Sequence, residues 1–261
     1  QHRQVPGQIA TEGLGHDAFS DSAPGSRHPD VILIPARDEA HSIAQVITEA
    51  RRHSQAPIVV IDDGSQDDTA AIAAEAGARV LRLPLHLGAW GAMQTGLRYA
   101  YRQGWDLAIT LDADGQHDPA DIQALIAPLL AGEADVVIGA CPLRVSRARR
   151  LAWHYFRGIT GIALEDLTSG FRAYNRAAMD RLIRPDATLL DYQDVGVLLI
   201  LRRQGLRIRE VPVAMRDRNH GRSRVFNSWW TVGRYMVRTS LLSLAGIGGN
   251  RGQGAPDEDP A

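Results

Sequence analysis

The segment most informative for the architecture of this chain is Ile58-Val59-Val60-Ile61-Asp62-Asp63-Gly64-Ser65-Gln66-Asp67-Asp68-Thr69. Its apolar run of strand-forming residues leads directly into an acidic turn with a central glycine. An alanine-rich stretch with helical spacing follows, from about residue 69 to residue 76. The segment therefore predicts a strand, a turn and a helix in immediate succession.

The same succession of strand and helix is found on both sides of this segment. Upstream, a strand is predicted at 31–35 and a helix at 39–53. Downstream, the predicted elements are strands at 80–83, 107–111, 136–139 and 208–213, and helices at 89–102 and 189–204. Strands that alternate with helices predict an α/β fold in which helices flank a mostly parallel sheet.

Length and composition favour a single catalytic domain with short tails. A chain of 261 residues can bury one substantial core without being divided. We expect a flexible arm at 1–29, the domain at 30–225, an amphipathic helix at 226–247 and a disordered tail at 248–261. The arm and the tail contain few apolar residues in sequence, which is typical of segments that do not fold by themselves.

Charge, cysteine content and hydropathy exclude several classes of protein. A formal net charge of -1 gives no general attraction to nucleic acid, so no nucleic-acid partner is expected. The single cysteine, Cys141, rules out an internal disulfide framework and a zinc site built from several cysteines. No apolar run approaches the ~20 residues that span a bilayer, and the arm lacks the apolar stretch of a signal peptide. We therefore expect a cytoplasmic protein.

Polar residues follow the predicted strands at 35–39, 62–65 and 112–116. Ligands of parallel sheets collect beyond the carboxyl ends of the strands, so these segments should converge on one cleft. Asp112 and Asp114, with Gln116 beyond them, offer hard oxygen ligands that suit Mg²⁺ or Mn²⁺. The alternative is an acidic turn that precedes a further helix, and this short motif alone does not decide between the two.

The ordered combination of 32–39, 60–69 and 111–117 resembles the family 2 glycosyltransferases, which have the Rossmann-like GT-A fold. Within that family, the chain looks most like dolichyl-phosphate mannose synthases and bacterial polyprenyl-phosphate sugar transferases, over about 31–225. The resemblance implies a hexosyltransferase whose donor is a UDP- or GDP-sugar. It also implies that Asp112, Asp114 and Gln116 hold the cation, that Asp112 and Ala113 contact the donor, and that Asp114 takes part in catalysis.

Further donor-binding residues are implied by the same resemblance. The positions that match the nucleoside-binding residues of the family are Pro35, Arg37, Glu39, Asp62 and Asp63. Arg37 stands where the family often has tyrosine or asparagine, which leaves the base open. The alternative for 62–65 is a turn that also caps the following helix.

A glycine-containing segment at 87–92 resembles the helix start that lies near the donor in this family. Gly88 would there permit close approach of the backbone to the donor. A loop that needs glycine only for tight packing is the alternative. His117 lies close to the acidic motif, has no partner at metal-ligand spacing, and is expected only to line the cleft.

Two basic segments and one carboxylate complete the implied active site. Arg144, in the arginine-rich segment 144–157, matches an acceptor-loop arginine near the phosphates, and Arg218 and Arg224 match basic residues that reach the diphosphate or the acceptor phosphate. Both segments could instead be solvated basic surface. Asp194 is the candidate general base for a hydroxyl acceptor, although an aspartate at this place is also typical of a helix cap.

The resemblance implies a metal-dependent, inverting transfer to a polyprenyl phosphate. The alternatives are transfer to a hydroxyl of a glycan or glycolipid, and a regulator that binds a nucleotide-sugar without turnover. The helix predicted at 226–247 combines aromatic, aliphatic and basic residues, which suits the cytoplasmic face of a membrane. Packing against the catalytic domain or a second subunit explains the same pattern equally well.

Overall fold

A computed structural model describes residues 29–141, 169–188 and 195–216. Nearly all of the predicted arm, the predicted C-terminal helix and the predicted tail lie outside these ranges. The predicted site residues Arg144, Asp194, Arg218 and Arg224 also lie outside them. The other predicted site residues are all described.

The described residues form a seven-stranded sheet. Its strands are β1 Val31–Ala36, β2 Ile58–Asp62, β3 Arg79–Arg82, β4 Leu107–Thr110, β5 Val136–Ala140, β6 Arg172–Asn175 and β7 Ile208–Pro212. Their order is β3-β2-β1-β4-β6-β5-β7. Strand β6 is antiparallel to both neighbours, and every other adjacent pair is parallel. The predicted mostly parallel sheet is confirmed, whereas β6 was not predicted.

Helices cover both faces of the sheet. They are α1 Ile43–His53, α2 Thr69–Glu75, α3 Gly88–Arg102, α4 Ile122–Leu130, α5 Arg176–Leu182, α6 Pro185–Thr188 and α7 Val195–Arg203. Side chains alternate along a strand, so Val31 and Leu33 of β1 belong to the core that contains α3, α5 and α7. Ile32 and Ile34 belong to the core that contains α1, α2 and α4. This double burial explains why the strands read as continuous apolar runs.

Helix α1 begins later than the sequence predicts. The predicted start was residue 39, but the helix begins at Ile43. Asp38 has a φ of 52°, and the backbone N–H of Glu39 donates to Thr69 Oγ1 at 2.8 Å. Residues 38–40 are therefore held in a loop by a distant segment of the chain, and the apolar spacing of the helix could not reveal that contact.

The order of the strands places a topological switch between β1 and β4. From β1 the chain builds outward through β2 and β3, and it then returns to add β4 on the other side of β1. The loops after β1 and β4 therefore lie side by side beyond the carboxyl ends of these strands, where the strand order reverses. Open α/β sheets bind their ligands beyond the carboxyl ends of the strands at such a point.

An ion pair at the opposite edge of the sheet gives a pH-dependent contribution to stability. Asp135 precedes β5, and its carboxylate accepts bonds from Arg207 N at 2.7 Å, Arg207 Nε at 3.1 Å and Asn175 Nδ2 at 2.8 Å. The hydrogen bond from the Arg207 side chain, supported by these neighbours, outweighs partial burial and lowers the pKa of the Asp135 carboxyl.

Replacing Asp135 by asparagine should lower the free energy of unfolding by about 1–3 kcal/mol near neutral pH. A carboxyl whose pKa is lowered on folding stabilises the fold above its unfolded pKa of about 3.9, and this contribution is lost as the pH falls through the folded pKa. Urea unfolding of both proteins at several pH values measures the effect, because the other carboxyls cancel in the difference. A difference that stays constant into acid would contradict the prediction.

Candidate active site

The three polar segments expected to converge do lie at one edge of the sheet. In the strand register, Ala36 at the end of β1 pairs with Asp62 at the end of β2, and Thr110 at the end of β4 pairs with Leu33 of β1. Asp63 N donates to Ala36 O at 2.9 Å. The carboxyl ends of β2, β1 and β4 thus lie side by side. Every described residue of the predicted site lies on or next to these strand ends, or at the start of α3.

The loops after β1 and β2 form one hydrogen-bonded unit. Asp38 N donates to Ser65 Oγ at 3.0 Å, and Gln66 N donates to Asp38 Oδ1 at 2.8 Å. Partial burial would raise the pKa of the Asp67 carboxyl, but hydrogen bonds from Thr69 and from a neighbouring backbone N–H lower it overall. Because the bonds of Asp38 to Ser65 and Gln66 join the two loops, Arg37 and Glu39 are held in a fixed position relative to Asp62.

Asp62 is a buried residue of the turn after β2. Its side chain is 1% exposed; Oδ1 accepts from Ser65 N at 3.0 Å, and Oδ2 lies 3.4 Å from Arg82 Nε. The turn that the sequence predicted at 62–65 is therefore present. The alternative in which this turn also caps the next helix does not hold, because α2 begins only at Thr69 and the carboxylate that accepts the Thr69 N–H belongs to Asp67.

Asp63 connects the same turn to the start of α3. Its side chain is 4% exposed; Oδ1 accepts from Leu87 N at 2.7 Å, and Oδ2 lies 2.7 Å from His86 Nδ1. Gly88 follows with a φ of 82°, and a Cβ built there meets no atom within 4 Å. A glycine is thus required at position 88 by the backbone conformation and not by tight packing. Tight packing explains Gly91 instead, where a Cβ would lie 2.6 Å from Leu87 Cβ.

The acidic motif after β4 forms a turn. Asp114 Oδ1 accepts from Gln116 N at 3.1 Å, and Gly115 between them has a φ of 75°. Ala113, between the two aspartates, is buried. The turn that we considered as an alternative to a cation site is present. A carboxylate that accepts a backbone N–H in a turn has further lone pairs that can bind a cation. A turn and a cation site are therefore compatible here.

The carboxylate of Asp112 is 42% exposed and lies directly against the backbone of Gly170. A Cβ at Gly170 would lie 2.2 Å from Asp112 Oδ1 and 2.6 Å from Oδ2. Thr110 Oγ1 donates to Gly170 O at 2.7 Å and holds this approach in place. Gly170 was not predicted as a site residue, because only the antiparallel pairing of β4 with β6 brings it to the acidic motif.

A late segment of the chain crosses the acidic motif. Arg216 N donates to Gln116 O at 2.8 Å, and Arg216 Nη2 lies 3.0 Å from Asp118 Oδ2. Partial burial would raise the pKa of the Asp118 carboxyl, but the bonds from Ala120 N and from Arg216 lower it overall. Arg216, two positions before Arg218, therefore lies beside Gln116.

The residues around Asp112 fit a small divalent cation. Among the described residues, no group of three or more His, Cys, Asp or Glu side chains is arranged to hold a metal ion. Asp112 and Asp114, with the amide oxygen of Gln116, form a smaller set of hard oxygen donors. Mg²⁺ is commonly bound by one or two carboxylates together with substrate phosphates and water, so this set fits its chemistry. The missing Cβ of Gly170 leaves room for the Asp112 carboxylate, which a side chain at this position would displace.

None of the described helices is long and apolar enough to cross a bilayer. The helix predicted at 226–247 lies outside the described residues. Its proposed contact with a membrane surface therefore stays a prediction.

Comparisons with known proteins identify the family of this chain. The family model "Glycosyl transferase family 2" matches residues 31–187. Undecaprenyl-phosphate mannosyltransferase of Micrococcus luteus is 30% identical over 233 residues, which are 82% of this chain and 93% of that protein. Polyprenol monophosphomannose synthase of Mycolicibacterium smegmatis is 27% identical over an alignment of 274 residues, which covers 93% of this chain and 98% of that protein.

A solved structure supports the fold. Glucosyl-3-phosphoglycerate synthase of Mycobacterium tuberculosis, in complex with Mn²⁺, UDP-glucose and phosphoglyceric acid, matches with a TM-score of 0.64 and 24% identity. The match covers 82% of this chain and 79% of that chain. At this identity, the similarity concerns the fold. Because the family model matches more than half of the sequence and the strands have the expected arrangement, the chain belongs to glycosyl transferase family 2 and is a glycosyltransferase with the GT-A fold.

Proposed function

We propose that this enzyme is a divalent-cation-dependent, inverting transferase that moves a sugar from a UDP- or GDP-sugar to a polyprenyl phosphate. The observation that carries the proposal is the position of the Asp112 carboxylate. It lies at the switch between β1 and β4, against the backbone of Gly170 and in the same turn as Asp114. This is where an open α/β sheet receives a ligand, and the ligand here is the donor diphosphate.

The donor nucleoside is assigned to the loops after β1 and β2. Pro35, Arg37, Glu39, Asp62 and Asp63 are its proposed contacts. The hydrogen bonds between these loops support the assignment, because a pre-formed pocket loses less entropy on binding. The open space beside the glycine that begins α3 supports close approach of the donor to the backbone of that helix.

Asp112, Asp114 and Gln116 are the proposed ligands of Mg²⁺ or Mn²⁺. When bound, the cation would neutralise the negative charge that develops on the leaving nucleoside diphosphate. Arg144, Arg218 and Arg224 are proposed to bind phosphate oxygens of the donor and the acceptor. The bond from Arg216 N to Gln116 O supports this role for Arg218, because it holds Arg216, two positions earlier, beside a proposed cation ligand.

The acceptor class is proposed from the relatives that align with most of this chain. Two of them are named as a polyprenol monophosphomannose synthase and an undecaprenyl-phosphate mannosyltransferase. A phosphate oxygen of such an acceptor is already ionised near neutral pH and attacks the anomeric carbon from the face opposite the leaving group. The transfer then requires no general base from the protein.

Replacing Asp194 by asparagine should therefore leave turnover with a polyprenyl phosphate close to that of the wild type. A general base contributes about 10²–10⁴-fold to a reaction that needs one, so the two acceptor classes differ widely in the expected result. The measurement is kcat for transfer to a short-chain polyprenyl phosphate at saturating donor. A fall in kcat of that size would show that transfer to the phosphate depends on Asp194 and would contradict a mechanism without a general base.

The proposal as a whole is tested by donor binding followed by transfer. Thermal shifts with UDP-, GDP- and dTDP-sugars, each with Mn²⁺, identify the donor, because a ligand that binds only the native state raises Tm. Transfer of a radiolabelled sugar from that donor to polyprenyl phosphate is then measured by organic extraction. Tight donor binding without transfer to any acceptor would indicate a nucleotide-sugar-binding regulator and would refute the proposal.

The predicted C-terminal helix has its own test. Flotation of the protein with liposomes that contain anionic lipid should be compared for the full chain and for a chain truncated after residue 225. Loss of flotation on truncation would support contact with a membrane surface. Equal behaviour of the two chains would remove that hypothesis.

A further inference from the structure

His117 is a buried histidine beside the proposed cation site. Its side chain is 1% exposed, and the ring stacks on Phe171, with 5.1 Å between centroids and an interplanar angle of 21°. Within the described part of the chain, its Nε2 atom is buried and has no hydrogen-bond partner. A buried polar atom without a partner is unfavourable, so its presence requires a reason other than packing.

The hydrogen bond on the other side of the ring determines which nitrogen carries the proton. Asp112 N lies 3.3 Å from His117 Nδ1 and donates to it. Nδ1 is therefore the acceptor, and the ring hydrogen of this tautomer is on Nε2. Nε2 lies 3.6 Å from Asp112 Oδ2. The Nε2 donor thus lies close to the carboxylate of the same residue whose backbone N–H binds the ring.

The Asp112 carboxylate is consequently confined on two sides. The backbone of Gly170 contacts it on one side, and the Nε2–H of His117 approaches Oδ2 on another. We propose that His117 is a positioning residue, which donates from Nε2 to Asp112 Oδ2 when a divalent cation occupies the site and so directs Oδ1 towards the cation. This inference rests on the proposed function, because it assumes that Asp112 is a cation ligand.

The surrounding structure fits such a role. The backbone of His117 forms an antiparallel bridge with Met215, and its ring stacks on Phe171, so backbone and ring are each held by a different part of the chain. A ligand carboxylate that is itself hydrogen-bonded has fewer orientations to lose when a cation binds. If His117 served only for packing, its buried Nε2–H would lose its hydrogen bond to water without a replacement, and a phenylalanine would fill the same space without that cost.

Mn²⁺ alone is the probe for the first experiment. Its dissociation constant is measured by electron paramagnetic resonance of the free ion, in wild type, His117→Phe and His117→Gln. His117→Phe keeps a ring against Phe171 and removes both nitrogens, and it should weaken Mn²⁺ binding about 10–100-fold. His117→Gln carries an amide N–H near the position of Nε2 and should recover most of the affinity. Thermal unfolding without metal confirms that each variant folds.

Two controls are needed. The first separates the effect of packing from that of hydrogen bonding, and the second separates the role of His117 from the proposed function. Phe171→Leu removes the stacking partner but retains both nitrogens, so its Mn²⁺ affinity should stay close to that of the wild type. Asp114→Asn should lose Mn²⁺ binding. If the wild type binds no Mn²⁺ through Asp114, both the proposed function and the role of His117 fail. If it does and His117→Phe binds equally well, only the role of His117 fails.

A second measurement needs no substitution. Mg²⁺ is added to ¹⁵N-labelled wild type, and the Nε2 resonance of His117 is followed by NMR. Closing of the 3.6 Å separation into a hydrogen bond should shift that resonance, while the histidines remote from the site should not respond. An unchanged Nε2 resonance at saturating Mg²⁺ would overturn the proposal.

Discussion

Replacing Asp114 by asparagine should reduce kcat/KM for sugar transfer by about 10²–10³-fold, the loss typical of removing one group that stabilises charge in a transition state. The substitution removes one negative charge and weakens one of the proposed cation ligands. It leaves the turn intact, because an amide oxygen can still accept the bond from Gln116 N that Asp114 Oδ1 accepts at 3.1 Å. The expected loss is therefore chemical and not a consequence of unfolding.

The measurement is a titration of initial rate against Mn²⁺ concentration at fixed donor and acceptor. Asp106→Asn is the matched control, because Asp106 precedes β4 at the opposite edge of the sheet and its side chain is 79% exposed. Asp106→Asn should behave as wild type, and Asp114→Asn should show no saturation with Mn²⁺ in the range that saturates the wild type. Equal kcat/KM in all three proteins would refute a cation role for Asp114.

Most of the sheet could be predicted from the sequence because its strands are buried on both faces. Strands β1, β2 and β5 are continuous apolar runs, and the sequence pattern located each of them to within one residue at either end. Strand β6 does not have this pattern, since it begins with Arg172, which is fully buried. Arg172 Nε donates to Ser169 O at 2.8 Å, and a local bond of this kind cannot be read from hydropathy.

The candidate site shows the same division between local and distant contacts. The acidic residues at the strand ends are local features, and their convergence follows from the parallel arrangement of β1, β2 and β4. The close approach of Gly170 to Asp112 depends on the register in which Thr110 pairs with Arg172, which no local pattern specifies. The role of Asp63 in holding Leu87 is likewise a tertiary contact.

Replacing Gly170 by alanine should damage the cation site with little cost to the fold. The new Cβ would lie 2.2 Å from Asp112 Oδ1 and 2.7 Å from Cγ, so the carboxylate would have to move. The Asp112 side chain is 42% exposed and can turn towards solvent, which relieves the contact without disturbing the core. A displacement of about 1 Å at a catalytic centre can cost about 100-fold in rate, and we expect a loss of that order in kcat/KM together with weaker Mn²⁺ binding.

The interpretation of Gly170→Ala depends on showing that it acts through Asp112. Gly96→Ala is the control for adding a methyl group to a buried glycine, because its Cβ would meet Ile61 in the core and should leave Mn²⁺ affinity unchanged. In a double-mutant cycle, Gly170→Ala added to Asp112→Asn should cause almost no further loss of kcat/KM, since the displaced group has already lost its charge. If the two losses are fully additive, Gly170 affects transfer by a route other than the Asp112 carboxylate. If Gly170→Ala alone has wild-type activity, the carboxylate need not lie where the structure holds it.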